Sequence, residues 1–179
     1  MLTLLLFRHA KSSWQVRNQP DAERPLNARG RRAAPLMGRY MAANGLAPDH
    51  VLCSSAVRTR ETAALALAEM PGAPEPVFLD ALYLAAPARM LAEIHKAAAT
   101  VKSLMLIGHN PGMPEFVIDL AGSGNGEALR RTREKFPTAA LAVLAFDVAR
   151  WTDVQPGVGR LDLFVTPRLV EDDGEPDDD

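Results

Sequence analysis

A single cysteine, Cys53, in a chain of 179 residues leaves no internal disulfide to form, and a lone thiol suits a reducing compartment, the cytoplasm. The apolar run at the start, residues 2–7 (Leu-Thr-Leu-Leu-Leu-Phe), ends abruptly at Arg8-His9 and has no basic stretch before it. It is too short to span a bilayer and lacks the form of a secretory signal, so no membrane partner is expected. Aromatic residues make up only 6% of the chain, and no basic run is interleaved with them, so nucleic acid is excluded as a partner. The four histidines (His9, His50, His95 and His109) show no metal-ligand spacing, so neither a metal nor a cofactor is expected.

What is present is enough apolar material for one self-sufficient core. Hydrophobic residues form 47% of the chain, which supports a single domain over residues 1–170 without metal or disulfide staples. Residues 171–179 (Glu-Asp-Asp-Gly-Glu-Pro-Asp-Asp-Asp) hold seven of the 22 acidic residues and none of the 20 basic ones. That segment has nothing to bury and repels itself, so it reads as a disordered acidic tail. The body keeps five more bases than acids, which suits an anionic substrate. No long exposed apolar stripe marks an oligomer interface, and a monomer is compatible with the sequence.

Apolar runs alternate with segments of helical period. Strands are expected at Leu2–Phe7, Val51–Cys53, Val77–Leu79, Leu104–Ile107, Ala139–Asp147 and Leu161–Val165. Helices are expected over residues 28–44, with Asn27 as N-cap, Gly45 past the end and Pro35 forcing a kink or a late start. Others are expected over Ala56–Met70, with Ser55 as cap and Pro71 as stop, from Pro87 to about Ala99, and from Pro111 to Ala121. Gly122 to Gly126 interrupts a modest helical insertion around residues 111–135. Continuous apolar strands alternating with helices imply a three-layer α/β/α sandwich around a mostly parallel sheet. In such sheets the ligand site lies beyond the carboxyl ends of the strands.

Three polar clusters sit at those ends. Arg8-His9 follows the first strand, Ser54-Ser55-Ala56-Val57-Arg58 the second, and Gly108-His109-Asn110-Pro111-Gly112 the Leu104–Ile107 strand. Parallel neighbours would bring two arginines and two histidines together, a set that suits phosphoryl transfer. Guanidinium forks hold phosphoryl oxygens bidentately, and a neutral imidazole can attack phosphorus through one nitrogen while the other is fixed by a hydrogen bond. A cationic second histidine would donate to the same oxygens. Gly108 and Gly112 are expected to let backbone approach the anion, and Pro111 to open a helix whose N-terminus points at it. His50 and His95 read as structural.

Several motifs also carry a family resemblance. Leu5-Leu6-Phe7-Arg8-His9-Ala10-Lys11-Ser12 resembles the opening signature of the histidine phosphatase superfamily, and Ala-Lys-Ser after the histidine resembles its SixA-like phosphohistidine phosphatase branch. Arg24-Pro25-Leu26-Asn27-Ala28-Arg29-Gly30, Ser54-Ser55-Ala56-Val57-Arg58-Thr59-Arg60-Glu61-Thr62 and Gly108-His109-Asn110-Pro111-Gly112 follow in that branch's order, so the resemblance covers residues 1–147. It implies a phosphoglycerate-mutase-like fold and a metal-independent, two-step phosphatase reaction. His9 would be the nucleophile, and Arg8, Arg58 and His109 would hold the phosphate. It also implies Asp80, in Phe78-Leu79-Asp80-Ala81-Leu82-Tyr83, as the general acid. Ser12 and Thr138 are further candidates to line the pocket.

The resemblance implies phosphohistidine in a protein as the substrate, and such a substrate relaxes the demand for a general acid, since imidazole is a much better leaving group than an alkoxide. The alternatives are a small phosphomonoester such as a sugar or nucleotide phosphate, and a non-catalytic module that binds phosphate or phosphoprotein. A cysteine phosphatase is disfavoured, since only four residues separate Cys53 from Arg58 and Cys53 falls inside an apolar strand. A phosphoglycerate mutase is disfavoured by the compactness of the chain around the pocket.

Overall fold

A computed structural model describes residues 1–172. Strand β1 (Leu2–Arg8) occupies the middle of the sheet and is buried on both faces. Leu2, Leu4 and Leu6 enter one apolar cluster, and Leu5 and Phe7 enter the other. The period of two therefore shows only as a choice between two cores, which is why the sequence reads as an unbroken apolar run.

Around β1 the sheet orders as β3-β2-β4-β1-β6-β7-β5. These are β2 (His50–Ser54), β3 (Val77–Leu79), β4 (Ser103–Gly108), β5 (Ala121–Gly124), β6 (Leu141–Phe146) and β7 (Gly159–Val165). Only β6 runs against the others; it pairs antiparallel with both β1 and β7. On one face lie α1 (Ala28–Ala43) and α2 (Val57–Leu67), with the short α6 (Pro167–Asp172) against α1. On the other lie α3 (Pro87–Ile94), α4 (Gly112–Leu120) and α5 (Gly126–Glu134). This is the three-layer α/β/α sandwich with a mostly parallel sheet. No helix among the described residues is long and apolar enough to cross a membrane.

Local signals explain most boundaries. Asn27 caps α1 by accepting from the Gly30 N–H at 2.9 Å. At the other end, Gly45 in the left-handed region lets the Leu46 N–H reach the Met41 carbonyl at 2.9 Å. Pro35 lies inside α1 and does not delay its start. Four expectations differ from the structure. Ser55 does not cap α2: Ala56 is the N-cap residue, and its carbonyl accepts from the Thr59 and Arg60 N–H groups. Helix α3 stops at Ile94, five residues short of Ala99, and gives way to turns. The glycine-rich break after α4 contains an edge strand, β5, paired parallel to β7. Finally, Glu171 and Asp172 of the expected acidic tail close α6; the rest of that tail, residues 173–179, lies outside the described residues.

Candidate active site

The register brings the three polar clusters to one edge. Arg8 pairs with Gly108 across β1 and β4, and Cys53 pairs with Ile107 across β2 and β4. The carboxyl ends of three parallel strands thus stop level with one another. Because β6 is reversed, its amino end arrives at the same edge: the Ala139 N–H donates to the His9 carbonyl at 3.0 Å, and the Arg8 N–H to Ala140 at 3.0 Å. A cavity of about 350 Å³ opens there, lined by Arg8, His9, Ser12, Arg58, His109 and Thr138, with Lys11, Trp14, Asp21, Arg24, Leu84 and Asn110 completing it.

His9 is held in one tautomer. Its Nδ1 lies 2.7 Å from the Ala10 carbonyl. A carbonyl only accepts, so Nδ1 carries the hydrogen and Nε2 keeps its lone pair. The backbone is fixed on both sides, with the His9 N–H on Gly108 at 3.1 Å and the Ala10 N–H on the Thr62 hydroxyl at 3.0 Å. Burial, and then the charges of Arg8 and Arg58 and the neighbouring His109, push the imidazole down to about 3. His9 is therefore a neutral base at neutral pH, the form that attacks phosphorus.

His109 is fixed as firmly. Arg58 Nη2 donates to its Nδ1 at 3.2 Å, and its Nε2–H donates to Ser54 Oγ at 2.7 Å. Since a guanidinium has no lone pair to accept with, this pattern describes the neutral ring. Burial and then the Arg58 charge push it down to about 3. The cationic second histidine expected from the sequence is thus not the state that this hydrogen bonding favours. The two rings lie 5.2 Å apart, centroid to centroid.

The arginines are organised by a carboxylate that sequence reasoning did not single out. Asp21 sits on a 3-10 turn (Asp21–Glu23) ahead of the Arg24-Pro25-Leu26 strap. Its Oδ2 accepts from Arg58 Nη2 at 2.9 Å and from the Tyr83 hydroxyl at 2.5 Å. Its Oδ1 accepts from Arg24 Nε at 3.0 Å, and its backbone carbonyl from Arg58 Nη1 at 2.6 Å. The Tyr83 bond first, and then Arg24 and Arg58, hold the Asp21 carboxyl far below the usual carboxylate range. Arg58 therefore commits its outer nitrogens to Asp21 and His109, and the bidentate grip on phosphate expected of it is not free in this arrangement. What remains is its charge and its buried Nε–H, which, like Arg8 Nε, has no hydrogen-bond partner. Arg8 donates through Nη1 to the Phe136 carbonyl at 2.7 Å.

Six of the seven site candidates meet: His9, Arg8, Arg58, His109, Ser12 and Thr138. Ser12 Oγ accepts from Arg24 Nη1 at 2.7 Å, so Ser12 acts partly by placing Arg24. Asp80 does not join them. It is exposed at the start of a 3-10 turn, away from the pocket lining, and its backbone carbonyl receives the Tyr83 N–H at 3.0 Å. Gly112 also differs from expectation, because the backbone that approaches it is protein: a Cβ there would lie 2.0 Å from the Ala85 carbonyl oxygen. Arg24 stood in the Arg24-Pro25-Leu26 motif without a role assigned to it, and Asp21 was not singled out. Trp14 and Leu84 carried no signal at all. Trp14 is 74% exposed at the rim and stacks on Arg24 at 3.6 Å. Cys53 is buried and pushed up to about 12 by desolvation, which makes it an inert thiol. Among the described residues, no three His, Cys, Asp or Glu side chains group to hold a metal.

Comparison with known proteins finds relatives of this chain and of its fold. A profile of the histidine phosphatase superfamily (branch 1) matches residues 4–82. An uncharacterized protein of Mycobacterium tuberculosis is 40% identical over 163 residues, covering 90% of this chain and 99% of the relative. The crystal structure of a candidate phosphohistidine phosphatase SixA from Agrobacterium tumefaciens superposes with a TM-score of 0.77 at 30% identity, covering 93% of this chain and 98% of that one. A second candidate of that name, from Nakamurella multipartitia, gives 0.78 at 30% identity, covering 93% and 96%.

Proposed function

The chain belongs to the histidine phosphatase superfamily, in its SixA-like branch, and from that premise we propose that it hydrolyses phosphohistidine in proteins through a covalent intermediate on His9. The observation that carries this reading is the Nδ1–H bond from His9 to the Ala10 carbonyl, which leaves Nε2 as a lone pair in a pocket of cations.

In the first step Nε2 attacks phosphorus in line. A new P–N bond forms, the substrate's bond to phosphorus breaks, and the leaving group takes up a proton from solvent. Arg8 and the charge of Arg58 stabilise the equatorial oxygens, and His109 joins them when the bound anion raises its proton affinity. In the second step water attacks the phosphorus, and inorganic phosphate and neutral His9 are regenerated. Two observations favour phosphohistidine over an alkyl ester. Among the described residues Asp21 is the carboxylate that lines the pocket, and it is held ionised, so it has no proton to give. Asp80, the expected general acid, stands outside. An imidazole, whose conjugate acid has a pKa of about 6.5, departs neutral when its other ring nitrogen is protonated and needs no such donor, whereas an alkoxide does. A phosphorylated protein is then the partner, and the inert, lone thiol is consistent with the cytoplasm.

The test is covalent and comparative. Brief exposure to radiolabelled phosphohistidine peptide should leave an acid-labile, alkali-stable label on His9 that is absent from His9→Ala. Phosphohistidine should also turn over far faster than sugar or nucleotide monophosphates. Unlabelled protein together with full turnover by His9→Ala would overturn the proposal.

A further inference from the structure

Beside the phosphoryl pocket lies a second, wider cleft of about 790 Å³, and Lys11 and Thr138 line both. It runs between the first turns of α1, the end of α5 and helix α6. Its floor is apolar, with Ala33, Pro137, Phe164 and Leu169, and its walls are net cationic, six bases against the carboxylates of Glu134, Glu171 and Asp172. Arg131 is engaged by Glu127 at 2.6 Å, and Arg168 lies 3.8 Å from Asp172. Lys11, Arg29, Arg32 and Lys135, all exposed, form no ion pair with any described residue. Arg29 and Arg32 stand three apart on α1, so the helix presents two like charges to one side at some cost to itself. Neither charge serves the reacting phosphoryl group, which the pocket arginines already surround.

From this juxtaposition we infer that the cleft is a docking surface for an acidic segment of the substrate polypeptide, next to the phosphorylated residue. The inference rests on the phosphohistidine reading above and deepens it by naming the sequence context that the protein selects. Charge complementarity identifies the occupant as acidic. An apolar floor under cationic walls fits extended polypeptide, whose side chains alternate between the two. The volume falls within the range of clefts that enclose sizeable ligands. The placement next to His9 is built in: helix α1 packs backbone to backbone on Lys11, with the Asn27 N–H donating to the Lys11 carbonyl at 2.9 Å. A substrate held at His9 thus has Arg29 and Arg32 beside its flank.

The experiment uses the full chain and two labelled peptides with a central phosphoryl-triazolylalanine, a stable phosphohistidine mimic. One has Asp and Glu flanks, the other Ser and Ala. Binding is followed by fluorescence anisotropy at several salt concentrations. The acid-flanked peptide should bind about tenfold tighter, with the steeper salt dependence. The triple change Arg29→Glu, Arg32→Glu and Lys135→Glu should erase that difference. It should leave the neutral-flanked peptide and the turnover of free phosphohistidine as in the parent. Arg32→Gln alone, a milder change on an exposed side chain, should weaken only the acid-flanked peptide, by two- to threefold. Equal affinity of the parent for both peptides, or equal losses for both in the variants, would overturn the inference. Removing residues 173–179 distinguishes the occupants: an acid preference kept within twofold supports a substrate segment, and a preference that emerges only on removal means the chain's own acidic end fills the cleft. The catalytic reading fails separately, by absence of turnover with the flank preference intact.

Discussion

At the scale of single residues, the site depends on which groups carry protons. His9 and His109 are neutral because burial and the neighbouring guanidinium charges expel the proton. A bound dianion reverses part of that field, so the proton affinity of His109 should rise on binding. Sulfate, which does not titrate in this range, should therefore bind near pH 6 with proton uptake. Calorimetry in buffers of different ionisation enthalpy would detect it, and the uptake should fall in His109→Gln. Asp21 opposes the anion directly while it orients Arg24 and Arg58. With the carboxylate beside the anion at an effective dielectric of about 20, the lost repulsion outweighs the lost orientation. Asp21→Asn should then bind sulfate on the order of tenfold tighter. Weaker sulfate binding in that variant would show that orientation dominates.

At the scale of elements, the loop after His9 is set by how closely α1 approaches it. A Cβ on Gly30 would lie 2.2 Å from the Lys11 carbonyl oxygen and 2.9 Å from its nitrogen, both backbone atoms that cannot swing aside. Gly30→Ala should cost about 1–3 kcal/mol in urea denaturation and depress kcat/KM, because α1 must move off the segment that carries His9. Gly126→Ala is the control: it opens α5, nothing lies within 4 Å of its Cβ, and it should be neutral or slightly stabilising. The same packing shows what could be read from the chain. The strands were legible because a doubly covered sheet demands unbroken apolar runs, and Asn27 because a cap bond is local. Arg8, His9, Arg58 and His109 were legible because parallel strands end together. Asp21 was not, since it reaches the pocket through the fold of a strap and not through any spacing with its partners. Strand β5 (Ala-Gly-Ser-Gly) was hidden because its pairing with β7 uses backbone alone.

At the scale of the whole molecule, the pocket links stability to pH. The His9 and His109 side chains titrate near 6.5 when unfolded and near 3 when folded. Between those values the unfolded chain binds more protons than the native one, so stability rises with pH. The contribution is fully present above about pH 6.5 and is lost as pH falls toward 3. Each histidine adds up to about 1.4 kcal/mol per pH unit within the window. Asp21 acts with the same sign but lower down: its depressed pKa adds stability that is complete above its unfolded value of 3.8 and lost below it. The protein should therefore begin to lose stability below pH 6.5, well before ordinary carboxylates titrate. Urea midpoints taken from pH 7.5 to 4.5 should fall steeply in the parent. The double variant His9→Gln, His109→Gln should show a much flatter profile, its slope reduced by close to two protons near pH 4.5. Equal slopes would mean that the two imidazoles are not held neutral by the fold. The nucleophile's readiness at neutral pH would then need another source, because the field that keeps Nε2 of His9 free of a proton is the same field that makes the native state sensitive to acid.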